Sequence, residues 1–314
     1  MTQTGPGSPQ QPGGKDDEVF RELTRMQVQV ILEAYGADVE VGFDRTTKGD
    51  DLADVAYLCR SGAILVRDPD LSRVQRIDLG ARVDDALVDG LTRLTLPAGL
   101  SVADALERID AAVGLGVATP DHLLWVTPKS FSCPATEPEE VSVKDSVPTV
   151  GRGSEAGRGV LVSVVDTGWH SPAATDPVSP WLAGVTGDEE EITDPSDPNG
   201  FIRPYAGHGT FVAGVVRREA PAAEVRVEGF LRKAGAIFES KIVRQLTEAI
   251  ALGPDIISLS AGSTTRENLP LLSFEVFYER FLSKLKGTVL VAAAGNQGVR
   301  KPFWPAAFPW SISV

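Results

Sequence analysis

The chain has 314 residues, a formal net charge of −13 and two cysteines, Cys59 and Cys133. This length suffices for one large domain or two smaller ones with a buried core. The negative charge argues against a nucleic acid or an anionic membrane as partner. Two cysteines are too few for a disulfide framework. They also lack the spacing of a metal or redox motif, so no cofactor is expected.

Residues 1–18 are rich in Gly, Pro, Gln and Ser. Such a segment cannot bury enough apolar surface to fold, which predicts a disordered tail. The tail has neither the basic start nor the apolar core of a signal peptide, and no apolar run in the chain approaches a membrane span. We therefore expect a cytoplasmic protein, or a secreted one if the N-terminus is incomplete.

Residues 19–127 predict a small α+β domain. Its first segment, residues 19–36, has apolar residues at helical intervals, although its centre also fits a strand. A hairpin is predicted around Ser61-Gly62, because a β-prone run lies on each side. Ser101 and Asp104 begin a helix with an apolar stripe that ends at residue 113. The β-prone runs are residues 55–60, 63–67, 91–96 and 122–126.

Residues 128–157 are rich in Pro and Gly and predict a linker that contains a domain boundary. Strands and helices alternate after it, which indicates an α/β fold with a doubly wound parallel sheet. In such sheets the chemistry gathers at the carboxyl ends of the strands. The predicted strands are residues 160–165, 225–230, 255–259 and 288–293, and the predicted helices are residues 210–218, 239–252 and 271–286.

Asp166 directly follows the first apolar run of this region. A carboxylate at the mouth of a buried strand is partly desolvated and favours a charged or hydrogen-bonding partner such as an imidazole. The alternative is a turn residue that accepts hydrogen bonds from nearby amides. Asp-Thr-Gly also occurs in aspartic proteases, but those need a second triplet or an identical subunit and are all-β proteins.

His208 lies between Gly207 and Gly209, and two glycines beside one imidazole indicate a close approach of another group. The alternative is a histidine that only begins a helix. Asn296 follows another apolar strand, where its amide can donate to a developing oxyanion. The alternative for this residue is an ordinary Asn-Gln-Gly turn.

In chain order, Val-Val-Asp166-Thr-Gly, Gly-His208-Gly-Thr-Phe-Val-Ala-Gly and Ala-Ala-Ala-Gly-Asn296 closely resemble the motifs of the subtilisin-like serine proteases. Residues 256–262 resemble the substrate-lining strand of that family, and residues 304–309 resemble the segment after its oxyanion asparagine. The resemblance covers residues 158–314. It implies a subtilisin-like peptidase domain whose doubly wound sheet is incomplete at its C-terminal end.

The resemblance also implies roles for individual residues. His208 is the general base, Asp166 holds its tautomer and stabilises the imidazolium, and Asn296 donates to the oxyanion. A polypeptide substrate pairs with the cleft as an added strand. The residues that line this cleft are Ser260, Ala261, Gly262, Ala293, Ala294 and Gly295.

The nucleophile of the family is a serine in a Gly-Thr-Ser-x-Ala segment beyond the oxyanion asparagine, and residues 1–314 contain no such segment. We expect a protease fragment that is inactive by itself. The alternative is a catalytically dead protein that keeps the cleft and binds peptides or proteins.

Residues 19–127 resemble the family's propeptide domain in size and element order, which implies a domain that covers the active site. The alternative is an unrelated accessory domain. Calcium sites are common in the family, but the acidic loop between Asp166 and His208 has no ordered ligand spacing, and no metal is predicted. Its carboxylates are Asp176, Asp188, Glu189, Glu190, Glu191, Asp194 and Asp197.

Overall fold

The computed structural model describes residues 15–44, 51–84, 87–126, 153–193, 202–296 and 301–314. No helix in these ranges is long and apolar enough to cross a membrane. The α-helices are α1 (Lys15–Tyr35), α2 (Leu71–Gln75), α3 (Val102–Val113), α4 (His208–Glu219), α5 (Glu239–Ala249) and α6 (Leu272–Arg280). The strands are β1 (Val39–Phe43), β2 (Val55–Arg67), β3 (Arg82–Val83), β4 (Leu91–Thr95), β5 (Ala118–Val126), β6 (Leu161–Asp166), β7 (Thr186–Gly187), β8 (Glu224–Gly229), β9 (Ala236–Phe238), β10 (Ile256–Leu259), β11 (Ala261–Gly262), β12 (Val289–Ala292) and β13 (Ile312–Ser313).

A six-stranded sheet forms the predicted α/β part of the molecule. Its order is β13-β12-β10-β6-β8-β7, and all its neighbours are parallel. Both faces are covered: Val164 of β6 belongs to a core cluster with Ala213 of α4, whereas Val165 belongs to a cluster with Val243 of α5. Burial on both faces explains why these strands are continuous apolar runs in the sequence.

A seven-stranded sheet joins the N-terminal part of the chain to this α/β part. Its central strand, β5, pairs with β2 through its first half and with β9 and β11 through its second half. All three pairings are antiparallel, and β5 is buried along its whole length. Strands β1 to β5 of the N-terminal part and strands β9 and β11 of the α/β part therefore share one sheet.

The predicted hairpin at Ser61-Gly62 is wrong, because both runs belong to the single strand β2. The first half of β2 pairs with β1, and the second half pairs with β4. The Ser61 hydroxyl and the Gly62 amide both donate to the Glu40 carboxylate, and Gly62 has a φ of 61°. The two residues form an irregularity where a long strand changes its partner strand. Their amino-acid composition is the same as that of a turn.

Several element boundaries also differ from the sequence predictions. The segment predicted at residues 19–36 is helical up to Tyr35: helix α1 begins at Lys15, so it includes the end of the predicted tail. Helix α6 ends at Arg280 and is followed by a short 3₁₀ turn, Leu282–Lys284, where one longer helix was expected. The rest of the tail and most of the predicted linker, including its domain boundary, lie outside the described residues.

A buried polar cluster fastens β5 to α5. Asp121 accepts hydrogen bonds from the amide and hydroxyl of Ser240, and His122 Nδ1 lies 2.7 Å from Glu239 Oε1. The other oxygen of Glu239 accepts bonds from the amide and hydroxyl of Ser273, which begins α6 together with Leu272. These groups are all buried, so their mutual hydrogen bonds replace those lost to water.

Candidate active site

Asp166 and His208 lie in direct contact. His208 Nδ1 is 2.7 Å from Asp166 Oδ1, the Asp166 side chain is fully buried, and the His208 side chain is 30% exposed. Asp166 is the last residue of β6, and its carbonyl oxygen accepts hydrogen bonds from the amides of Phe230 and Leu231. His208 is the first residue of α4. The structure thus brings together the two predicted residues, and both lie inside their strand or helix rather than just outside it.

The electrostatics of this pair favour a protonated imidazole. Burial lowers the pKa of His208, but the Asp166 charge, the hydrogen bond to Asp166 and the Glu190 charge together raise it above its ordinary value. With Nδ1 donating to the carboxylate, Nε2 of the neutral ring is the free acceptor for a proton. This arrangement can accept a proton at Nε2 and stabilise the resulting imidazolium.

The described carboxylates of the acidic loop bond to neighbouring protein groups. Asp188 accepts the Gly229 amide, and Glu191 pairs with Arg203. Glu190 is half-buried, and its Oε2 accepts the Gly207 amide and the Thr167 hydroxyl, two contacts that no sequence pattern indicated. Among the residues that the structure describes, no group of three or more His, Cys, Asp or Glu side chains is arranged to hold a metal ion.

Asn296 and residues 293–295 follow strand β12. Ala293 N donates to Leu259 O of the neighbouring strand, Ala294 N donates to Val314 O, and Gly295 has a φ of 87°. Only β10 lies between β12 and β6 in the sheet. The carboxyl ends of β12 and β6 are therefore roughly 10 Å apart, since neighbouring strands are about 4.8 Å apart. Asn296 lies at the same sheet edge as Asp166.

The predicted substrate-lining segment is paired with the chain's own N-terminal part. Ala261 is the register partner of Val126, and Gly262 is the partner of Trp125. Ser260 is half-buried just before these two residues. The structure therefore places Ser260, Ala261 and Gly262 beside β5, whereas Ala293, Ala294 and Gly295 follow strand β12.

The opposite edge of β5 is held by β9, a strand that the sequence did not predict. Trp125 pairs with Ala236, and the Val126 amide donates to Gly235 O at 2.9 Å. Leu124 of β5 belongs to the core cluster of the parallel sheet, together with Ile237, Leu259 and Ala261. A three-residue strand has too short a pattern to be recognised from its own sequence.

Helix α1 covers the other face of β5. Leu123 and Trp125 share a core cluster with Val28 and Ile31 of this helix. Gln27 Nε2 donates to Val126 O at 3.3 Å. The end of β5 is thus enclosed between α1 and the α/β part, with β9 and β11 at its edges.

Comparison with known proteins supports the interpretation of the motifs. The family model described as the subtilase family matches residues 157–314, which is half of the chain and includes every strand of the parallel sheet. The chain belongs to the subtilase family. This match confirms the predicted resemblance to the subtilisin-like serine proteases and the predicted subtilisin-like parallel sheet.

Individual subtilases are moderately similar to this chain. Thermitase from Thermoactinomyces vulgaris is 31% identical over 170 residues, covering 50% of this chain and 55% of thermitase. The intracellular serine protease of Paenibacillus polymyxa is 33% identical over 152 residues, covering 45% of this chain and 43% of that protease. The chain spans about half the length, or less, of the curated relatives it matches.

A solved structure aligns over more of the chain. Fervidolysin from Fervidobacterium pennivorans, a keratinolytic enzyme related to subtilisin, covers 88% of this chain, and the alignment covers 45% of fervidolysin. The TM-score is 0.48 and the sequence identity is 15%.

Proposed function

We propose that the chain is part of a subtilisin-like serine endopeptidase. The observation that carries this proposal is the 2.7 Å contact between a buried Asp166 and His208 at the carboxyl end of a parallel sheet. His208 Nε2 takes the proton of a serine nucleophile and returns it to the leaving amine, while Asp166 holds the tautomer and stabilises the imidazolium.

Asn296 donates to the oxyanion of the tetrahedral intermediate in this proposal. Its place after β12, at the sheet edge that carries Asp166, supports the assignment. A single oxyanion donor is worth about 3–4 kcal/mol of barrier where it has been removed from an enzyme. No serine of residues 1–314 lies in a Gly-Thr-Ser-x-Ala segment, so these residues provide the base but not the nucleophile.

The substrate of the proposed enzyme is a polypeptide that pairs with β11 as an added strand. The existing pairing of β5 with β9 and β11 supports this assignment, because it shows that an extended segment fits between the two. The same pairing supports the proposal that the chain's own N-terminal part covers this cleft. A substrate must displace the end of β5 before it can bind.

A catalytically dead, peptide-binding protein is the second candidate. It has the same cleft and differs only in whether a serine joins Asp166 and His208. The coding sequence after Val314 separates the two candidates. We expect it to continue in frame through a Gly-Thr-Ser-x-Ala segment, and the longer chain is then expressed beside the 314-residue chain.

Both chains are treated with a fluorophosphonate probe, which labels activated serines. We expect labelling of the longer chain alone, with Asp166→Asn lowering its peptidase kcat by about 10⁴-fold. Labelling of the 314-residue chain would contradict the assignment of a missing nucleophile. A longer chain that keeps His208, binds peptides and is never labelled would establish the second candidate.

A further inference from the structure

Glu190 connects the acidic loop to the backbone on the N-terminal side of His208. Its Oε2 accepts the amide of Gly207 at 3.0 Å. Gly207 is the N-cap of α4 with a φ of 83°, and as a glycine it has no side chain with which to cap the helix. A carboxylate beside a helix N-terminus satisfies a free amide and interacts favourably with the helix dipole.

Thr167 extends this connection to the C-terminal side of His208. The Thr167 hydroxyl donates to Glu190 Oε2 at 3.1 Å and accepts the Gly209 amide at 3.2 Å. The Thr167 amide donates to Asp166 Oδ1, the same oxygen that contacts His208. The backbone amides of the two residues that flank His208 are therefore held by two side chains that are bonded to each other.

The position of Glu190 is itself fixed by backbone contacts. Its amide donates to Trp169 O, and the amide of Trp169 donates to Asp188 O. The loop is thereby attached to the segment that follows Asp166. A carboxylate held in this way can restrain α4 relative to β6, which a freely rotating surface glutamate cannot do.

We propose that Glu190 is a positioning residue for His208: it anchors the entrance of α4 and places a second negative charge near the imidazole. The description of His208 as a base rests on the proposed function, but the positioning itself does not. The charge of Glu190 contributes to the raised pKa of His208. Burial in turn raises the pKa of Glu190 itself.

The pKa of His208 in the complete 314-residue chain tests this proposal. The chain has only three histidines, so an NMR titration follows each imidazole separately. Glu190→Gln keeps the size of the side chain and an acceptor oxygen but removes the charge. We expect it to lower the pKa of His208. Glu191→Gln, which changes an exposed neighbour paired with Arg203, is the matched control and should leave that pKa unchanged.

The hydrogen bonds are tested by amide exchange at Gly207 and Gly209. We expect Glu190→Ala to speed exchange at Gly207, and Thr167→Val to speed it at Gly209, with Thr167→Ser restoring protection. If the pKa of His208 is unchanged in Glu190→Gln but falls in Asp166→Asn, the proposed role of Glu190 is wrong. The Asp166–His208 pair is then still supported. If neither variant lowers that pKa, both this proposal and the proposed catalytic pair are wrong.

Discussion

Gly209 allows α4 to approach the strand that carries Asp166. A Cβ at this position would lie 2.6 Å from Gly168 O, 3.0 Å from Val227 Cγ1 and 3.1 Å from Asp166 Cβ. A backbone oxygen cannot move aside as a flexible side chain can. The glycine after His208 is therefore required by packing between a helix and a strand, and its presence beside a histidine was the sequence signal for that contact.

Gly209→Ala should destabilise the protein by about 1–3 kcal/mol, because the extra methyl group overpacks this contact. Urea denaturation measures the change in the free energy of unfolding. Gly214→Ala on the same helix is the control: its Cβ would meet Trp181 Nε1 at 3.4 Å and Leu182 Cδ2 at 3.5 Å, which are ordinary contacts. It should stabilise the helix by up to about 1 kcal/mol. Equal effects of the two changes would contradict the packing role of Gly209.

The stabilising contribution of the Asp166–His208 pair should depend on pH. The folded-state pKa of His208 is raised above its unfolded value, which is about 6.5. The charged pair therefore stabilises the fold fully below that unfolded value and loses this contribution as the pH rises through the folded pKa. A double-mutant cycle of Asp166→Asn and His208→Gln measures the coupling energy.

We expect this coupling energy to be larger at about pH 5 than at about pH 9, because only the protonated imidazole carries a charge. The hydrogen bond of the neutral ring should leave a smaller coupling at high pH. A coupling energy that is the same at both pH values would mean that packing alone holds the pair. It would also mean that His208 does not become protonated beside Asp166.

Asp166 and His208 were predictable because each lies in a local motif at the end of an apolar element. Glu190 was not, because its partners Gly207 and Thr167 are distant in the sequence and its neighbours are equally acidic. Nothing in three consecutive glutamates indicates which one faces the protein. That choice depends on where β7 ends and how the loop returns to α4, which only the tertiary structure determines.

The buried polar cluster between β5 and α5 depends on Glu239. Its carboxylate accepts four hydrogen bonds, from the amide and Nδ1 of His122 and from the amide and hydroxyl of Ser273. His122 Nε2 in turn accepts the Arg266 amide at 3.2 Å. Each of these donors is buried, so removal of the shared acceptor leaves several polar groups without compensation.

Glu239→Ala should lower the free energy of unfolding by about 3–5 kcal/mol, the usual cost of leaving a buried charged or polar partner uncompensated. Glu248→Ala on the same helix is the control, because Glu248 is exposed and lies 4.0 Å from Arg244. It should change stability by less than about 0.5 kcal/mol. Denaturant titrations of both variants give the comparison, and a loss below about 1 kcal/mol in Glu239→Ala would contradict the structural role of this cluster.

The elements that the sequence predicted are those with a long internal pattern. Strands β6, β8, β10 and β12 of the parallel sheet and helices α3, α4 and α5 follow apolar runs or stripes of four residues or more. Strands β9 and β11 contain three and two residues, and they are strands only because β5 lies between them. The wrong prediction of a hairpin at Ser61-Gly62 has the same origin. The residues where β2 changes its partner strand have the composition of a turn, and the change of partner depends on tertiary structure.

At the scale of the whole molecule, β5 makes the two sheets interdependent. Its Leu124 is fully buried in the core cluster of the parallel sheet, whereas its first half pairs with β2. Separation of the N-terminal part would expose that side chain, the edges of β9 and β11, and the polar cluster around Glu239. We therefore expect the described parts of the chain to unfold together.

Leu124→Asp should uncouple the N-terminal part from the parallel sheet, because it places a carboxylate in an apolar core without a partner. Calorimetry should show one endotherm for the unchanged chain and two for this variant. Hydrogen exchange should become faster at β9 and β11, where β5 is lost, and remain slow at β6 and β8. Leu115→Asp makes the same chemical change at a residue that is 55% exposed, and it should keep the single endotherm. If Leu124→Asp also keeps one endotherm and full protection of β9 and β11 from hydrogen exchange, the end of β5 does not join the two parts. The proposed covering of the cleft by the N-terminal part is then wrong as well.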